Sequence, residues 1–345
     1  MEVDYNLYSE KLKNFIDSSE KKVASILIHK NADGDCVGAG LALSFLLEKE
    51  GFTDVKIIST NAFNDNYLWM PNSDKIVVFD SMFKDICIDN INNSDIVFCV
   101  DFAQKCRIDD VLPDLIKDKK ICVIDHHLEQ PEFEGEHILN SSAASTCEIL
   151  YEIISRKYND KIDYNIALSL YTGIMTDTGR FTTQNMTYRV HEISAEILKK
   201  YDIDISLVNK NIYGNNRFAR MRFLGHVLSK CLKVVPEYKV AFITLSHKDT
   251  SRFYLKQGET DGIVNYGLSM KNIVVSALLN EKKEGVYISL RSIGDFAVNE
   301  FAKEHFNGGG HKNAAGGYII NKTLDESVQY FIDLIKKIDS LKMEI

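Results

Sequence analysis

Short runs of β-branched and aliphatic residues recur through the first 130 positions, each closed off by polar residues: VASILIH (23–29), VKIIST (55–60), KIVVFD (75–80), DIVFCVDF (95–102) and KICVIDHH (120–127). They are apolar without the alternation of a half-exposed strand, so both faces of the sheet they form must be covered. Helical periodicity separates them, most clearly over about 37–50. Strands alternating with helices predict a parallel, Rossmann-like sheet with helices on both sides. From Ala144 to about Leu232 helical patterns take over, including a helix over 165–176 and two last segments, 191–201 and 217–232, that read as a connector. After Pro236 the texture is again strand-like, at 237–246, 272–280 and 284–292, followed by a helix near 297–306, a glycine loop, a strand at 316–320 and a final helix from about Leu324. A second, smaller α/β domain therefore begins near residue 233. With four prolines and no Ser/Gly-rich stretch, the join is a helix and a short loop.

Composition narrows the class. A chain of 345 residues with 45% hydrophobic and 26% charged positions has enough apolar material for two cores and is neither disordered nor fibrous. Charge interrupts every apolar run well before the roughly 20 residues of a bilayer span, and MEVDYNLYSEKLK lacks the apolar stretch of a signal peptide. A cytoplasmic protein without a membrane partner is expected. The seven cysteines form no CxxC pair and mostly sit in apolar segments, which favours reduced, buried thiols over a zinc site or disulfides. A net charge of −8, from 41 Lys and Arg against 49 Asp and Glu, argues against a broad grip on long duplex nucleic acid. There is no GxxxxGK[ST] loop, and Leu43 stands where a GxGxxG beginning at Gly38 needs its last glycine.

The strand ends carry the chemistry. In open parallel sheets ligands gather at the carboxyl ends of the strands, and here those ends deliver His29, Asn31, Asp33 and Asp35, then Asp101, then Asp125, His126 and His127, while the helix 165–176 runs into Asp177. Taken singly, Asp33-Gly34-Asp35 is a turn and helix cap. Crowded together, four carboxylates repel and raise one another's pKa, and two divalent cations offset their charge. Carboxylate oxygen with imidazole nitrogen and no thiolate favours Mn²⁺ or a similar hard ion over structural zinc. An ion pair about 3.5–4 Å apart suits hydrolysis of a phosphoester.

These segments, HKNADGD (29–35), the Asp101 strand, VIDHH (123–127) and GIMTDTGRF (173–181), resemble the motifs of the DHH phosphoesterase superfamily, and NGGGHKNAAGG (307–317) is similar to its DHHA1 module. Length and the segments TDGIVNYGLS (260–269) and VYISLRS (286–292) are most similar to the bacterial nanoRNase type, which joins oligoribonuclease with 3′-phosphoadenosine 5′-phosphate (pAp) phosphatase activity. The resemblance implies a DHH catalytic domain over 1–190, a helical connector over 191–232 and a DHHA1 substrate-binding domain over 233–345, with the active site in the cleft. It implies one metal held by His29, Asp33 and Asp101 and another by Asp35, Asp101, His126 and Asp177, with Asp101 as bridge. Two Mn²⁺ are expected, Mg²⁺ or Co²⁺ being substitutes. Asp101, Asp125, His126 and His127 form the implied catalytic group, Asp125 orienting a ligand histidine and His127 facing the scissile phosphate or the leaving group. Arg291, His311, the backbone of Gly308, Gly309 and Gly310, and Asn313 are the implied substrate contacts. Expected substrates are single-stranded RNA of about two to five nucleotides, cut to mononucleotides, and pAp, cut to AMP; a homodimer through the N-terminal domain is implied. Hydrolysis of linear or cyclic dinucleotides or of pyrophosphate, and non-catalytic nucleotide sensing, are the competing readings.

Overall fold

The computed structural model describes residues 3–183, 186–256, 258–283 and 285–342. The chain divides into two compact units, the first ending at Asn215 and the second beginning at Asn216. Of the span read as a connector, 191–215 thus packs in the first unit and 216–232 in the second.

The first unit is built on six parallel strands: β1 (Val23–Ile28), β2 (Asp54–Ser59), β3 (Val77–Val78), β4 (Ile96–Val100), β5 (Lys120–Asp125) and β6 (Glu136–Leu139), in the spatial order β3-β2-β1-β4-β5-β6. The chain winds outward from β1 in one direction and then from β4 in the other, so a crevice opens between the ends of these two central strands. Helices α1 (Tyr5–Asp17), α2 (Gly34–Lys49), α3 (Lys84–Asn93), α4 (Leu112–Ile116), α5 (Thr146–Lys157), α6 (Tyr164–Asp177), α7 (Tyr188–Tyr201) and α8 (Ile205–Asn209) complete the unit. Ile26, Ile28, Phe98 and Ile124 meet α2, α5 and α6 on one face of the sheet, while Leu27, Val97, Cys99 and Val123 meet α3 and α4 on the other. Alternate residues of each strand thus enter different cores, which is why the runs show no polar period.

Helix α2 is apolar nearly all round and buried over most of its length. Gly38 lets it lie directly on α6, since a Cβ there would sit 2.5 Å from the carbonyl oxygen of Ser169. The Gly-Ala-Gly step is a packing device here. The expected start of this helix at 37 is corrected to Gly34, because Asp33 caps it: Oδ1 accepts from the backbone N–H of Asp35 and Cys36. The expected six-residue strand at 75–80 shrinks to two residues at the sheet edge, and β6 is a strand that short sequence patterning did not reveal.

In the second unit β7 (Leu232–Val235), β8 (Val240–Leu245), β9 (Val275–Lys282), β10 (Gly285–Ser292), β11 (Gly309–His311) and β12 (Ala314–Ile320) form a mixed sheet ordered β11-β12-β10-β9-β8-β7, in which only β8 and β9 run parallel. The residue expected to begin β10, Glu284, lies outside the described residues. Helices α9 (Phe218–His226), α10 (His247–Ser251), α11 (Asn265–Leu268), α12 (Val298–His305) and α13 (Leu324–Ile335) flank it. Val286, Ile288 and Leu290 pack with Phe301 and Phe331 of α12 and α13, and Ile243 and Leu278 pack on the opposite face with Phe223 of α9. The glycine loop of the sequence reading is in part strand: Gly309, Gly310 and His311 pair with Gly316, Ala315 and Ala314. No helix among the described residues is long and apolar enough to cross a membrane. The cysteines are free thiols, six buried, while Cys106 is exposed.

Candidate metal centre

The crevice between β1 and β4 collects the polar residues. His29 follows β1, Asp101 follows β4, and His126 and His127 follow β5, whose last residue is Asp125; Asp35 lies in the first turn of α2 and Asp177 closes α6. His29 Nε2 stands 3.3 Å from Asp101 Oδ2, and His126 Nε2 lies 3.6 Å from Asp101 Oδ1 and 3.5 Å from Asp177 Oδ2. Ligand atoms of Asp35, Asp101 and His126 all fall within 4.8 Å of one another. Asp101 touches both histidines, so its carboxylate is at the middle of the group.

Two histidines are set for a cation by their far nitrogens. His29 Nδ1 bonds the carbonyl of Lys30 at 2.8 Å and His126 Nδ1 that of Ala143 at 3.3 Å. A carbonyl only accepts, so in its neutral form each ring carries its proton on Nδ1 and turns the Nε2 lone pair inward. His29 Nε2 is buried without a hydrogen bond, an orphan that a cation would satisfy. His127 differs: both its backbone N–H, at 3.2 Å, and its Nδ1, at 2.7 Å, bond to Asp125 Oδ1. Asp125 therefore orients His127, whereas a carbonyl orients His126.

Asp35 is clamped by an element that the sequence reading did not include. The start of α5 donates the backbone N–H of Thr146 to Asp35 Oδ2 at 2.7 Å and that of Cys147 to Oδ1 at 2.9 Å, and the Thr146 hydroxyl donates to Asp101 Oδ1 at 2.7 Å. Gly173 of α6 keeps the clamp open, since a Cβ there would reach to 3.0 Å from Asp35 Oδ1 and overlap Cys147 Sγ. The signal in the sequence was SSAASTC (141–147), a helix start directly after β6. Thr146→Val keeps the shape and removes the hydroxyl. It should lower kcat and divalent-cation affinity about tenfold, the usual weight of a partner that orients a ligand, as read by steady-state kinetics and a metal titration.

The charges of the group conflict. Burial, then Asp101 and Asp177, push the Asp35 carboxyl well above the ordinary carboxylate range, against the two N–H donors of α5. Burial pushes Asp177, 27% exposed, up to about 7, His126 pulling the other way. Asp177 also ends a 14-residue helix, where the peptide dipoles disfavour an anion. Asp101 stays below its usual range because the three histidines around it outweigh its burial. Burial should discharge His126, yet Asp177, Asp101 and Asp35 hold it up to about 9. Without cations these neighbours must share protons. Divalent ions replace those protons, so the residues fit such ions on geometry, orphaned nitrogen and charge alike. Asp33 is exposed, and its helix cap engages Oδ1 only.

In the second unit, Arg291 of β10 and His311 of β11 are both in register with Ala314 of β12, and so lie in one row on one face of the sheet. Gly309 has open space where a side chain would be; Gly308 already donates its N–H to Ala302 and abuts Gly316. Asn313 Nδ2 donates to Ser292 Oγ and to the Gly294 carbonyl, which ties it to the adjoining turn. Arg180 stacks on Tyr213, Trp69 packs against the first core, and His226 pairs with Asp249 at 2.8 Å.

A family model described as the DHH family, N-terminal domain, matches residues 24–174, and one described as the DHHA1 domain matches 237–338. The "Bifunctional oligoribonuclease and PAP phosphatase NrnA" of Thermus thermophilus is 24% identical over 315 residues, covering 90% of this chain and 89% of its own. The "Probable bifunctional oligoribonuclease and PAP phosphatase NrnA" of Streptococcus mutans is 27% identical over 300 residues, covering 86% and 90%. Among solved structures, an exopolyphosphatase-related protein from Bacteroides fragilis superposes with a TM-score of 0.89 at 33% identity over 96% of each chain.

Proposed function

This chain belongs to the DHH family and carries a DHHA1 domain, and from that premise we propose that it hydrolyses short oligoribonucleotides to mononucleotides and pAp to AMP. It is a hydrolase of phosphoester bonds. One observation carries the reading: His29, Asp35, Asp101, His126 and Asp177 converge from five segments on the crevice between β1 and β4.

His29, Asp33 and Asp101 would hold one divalent ion, and Asp35, Asp101, His126 and Asp177 the other. When bound, such ions supply Lewis acidity and lower the pKa of a coordinated water. The rest falls to the chain. Thr146 and Cys147 fix Asp35, and Thr146 fixes Asp101, so the ligands need not reorganise on substrate binding. Asp125 keeps the proton of His127 on Nδ1, so any exchange with the leaving oxygen takes place at Nε2. A water oxygen joins phosphorus, the bond to the ribose oxygen breaks, and that oxygen gains a proton. Arg291 and His311, in one row, are the cationic groups for a substrate phosphate.

Product analysis with labelled RNAs of 2 to 24 nucleotides, pAp and pyrophosphate in Mn²⁺ tests the reading. Mononucleotides from the short RNAs and AMP from pAp are expected; turnover of pyrophosphate alone would overturn it. Arg291→Ala and His311→Ala should each lower kcat/KM on pAp by about a hundredfold, in the range of a lost charged hydrogen bond of roughly 1.5–3 kcal/mol. Bis-p-nitrophenyl phosphate, which has no second phosphate, should lose less than about threefold. Equal losses on both esters would move these residues into the chemical step.

A further inference from the structure

We propose that Tyr287 is the platform on which the base of the substrate stacks, beside the Arg291–His311 phosphate row; the inference rests on the nucleotide reading above. Strand β10 alternates cleanly. Val286, Ile288 and Leu290 point into the core under α12 and α13, so Tyr287, Ser289 and Arg291 share the opposite face. Tyr287 is 41% exposed. The pairing of β10 with β12 runs Tyr287–Tyr318, Ser289–Gly316, Arg291–Ala314, and β11 adds Gly309 beside Gly316 and His311 beside Ala314.

The ring of Tyr287 does not stand upright above its own pair. Its hydroxyl would lie 2.7 Å from a Cβ on Gly316, so the side chain leans along the sheet over that glycine, toward the Arg291 end. The floor beneath is side-chain-free at Gly316 and Gly309 and a methyl group at Ala314. Successive rows on one face are two residues apart, roughly 7 Å, so the Tyr287 and Arg291 rows lie roughly 13 Å apart; the lean of the ring over the Gly316 row between them leaves roughly 7 Å to the Arg291 row, the spacing of a base from its own phosphate. A phosphate at Arg291 and His311 therefore places a planar ring against Tyr287.

Stacking on an aromatic side chain contributes about 1–3 kcal/mol per base and tolerates every base. The test compares pAp with ribose 3,5-bisphosphate, which has the phosphates and no base, in the intact 345-residue chain with Mn²⁺. Tyr287→Ala should raise KM for pAp about tenfold with kcat within about twofold, and leave ribose bisphosphate unchanged. Tyr287→Phe should restore the pAp value, since the ring and not the hydroxyl is needed. Melting temperatures of the variants should match the wild type, because the side chain is half-exposed. Equal effects on both ligands, or none on pAp, would overturn the subsite. Calorimetric binding of AMP separates the two readings. A Tyr287-dependent affinity for AMP in a protein that turned over neither pAp nor RNA would overturn the activity and support the platform.

Discussion

Asp101→Asn is expected to lower kcat at least about a thousandfold, roughly 4 kcal/mol of lost transition-state stabilisation, with the fold intact. Asp101 is the residue shared by His29, His126 and Thr146, at 3.3, 3.6 and 2.7 Å. It is also held at φ +66°, a left-handed conformation that side chains with a Cβ rarely adopt but that Asp and Asn tolerate. Alanine at this position would confound lost charge with backbone strain, whereas asparagine keeps shape and conformation and removes the charge alone. Metal content by mass spectrometry and circular dichroism should accompany the kinetics. A folded variant that kept near wild-type kcat would remove Asp101 from the centre of the mechanism.

The metal-free protein is expected to lose stability as pH rises from about 5.5 to 8, and Mn²⁺ to restore it most at the upper end. In the folded, metal-free chain Asp35 is raised, Asp177 is raised to about 7, His126 to about 9, and His127 is raised by Asp125 and Asp101 against its burial. Unfolded, the same carboxyls titrate near 3.9 and the imidazoles near 6.5. Between these limits the native state holds more protons than the unfolded one, so its stability falls with pH. Asp101, lowered, acts in the opposite sense only below about pH 4. Metal binding needs the deprotonated ligands and so strengthens over the same interval. A hundredfold excess over Kd contributes about 2.7 kcal/mol, or about 5–10 °C for a unit of this size. Calorimetry should show that gain at pH 8 and less than about 2 °C at pH 5.5. Equal gains at both pH values, or a metal-free protein more stable at pH 8, would contradict the account.

Much of the site was legible because parallel sheets place chemistry at strand ends. His29, Asp101, Asp125, His126 and His127 each stand at or just beyond the end of a strand that was recognisable as a continuous apolar run. Thr146 was not legible. A threonine at a helix start reads as a cap, and nothing local reveals that its N–H and hydroxyl are spent on the carboxylates of Asp35 and Asp101, 111 and 45 positions back in the chain. The glycines at 308–310 read as one open loop, but pairing with β12 divides their roles: Gly308 is fixed to Ala302, and Gly309 alone has open space. Helix α2 began earlier than its periodicity suggested because Asp33 caps it, a dual use that apolar spacing cannot show. Strands as short as β3 and β6 lie below the length at which patterning is informative.

The proposed ligands of the metal centre also constrain how the chain reaches its fold. His29, Asp101, His126 and Asp177 come from β1, β4, β5 and α6, so no contiguous piece of the chain shorter than about 150 residues contains them all. Parallel pairing of this kind closes long loops before any contact repays them, which slows folding. An ion cannot be captured by a nascent hairpin or a single helix. Uptake of divalent ions during refolding should therefore appear as a late phase, after the sheet has assembled, and a chain released from the ribosome before α6 would lack Asp177, one of the residues proposed to hold the second ion.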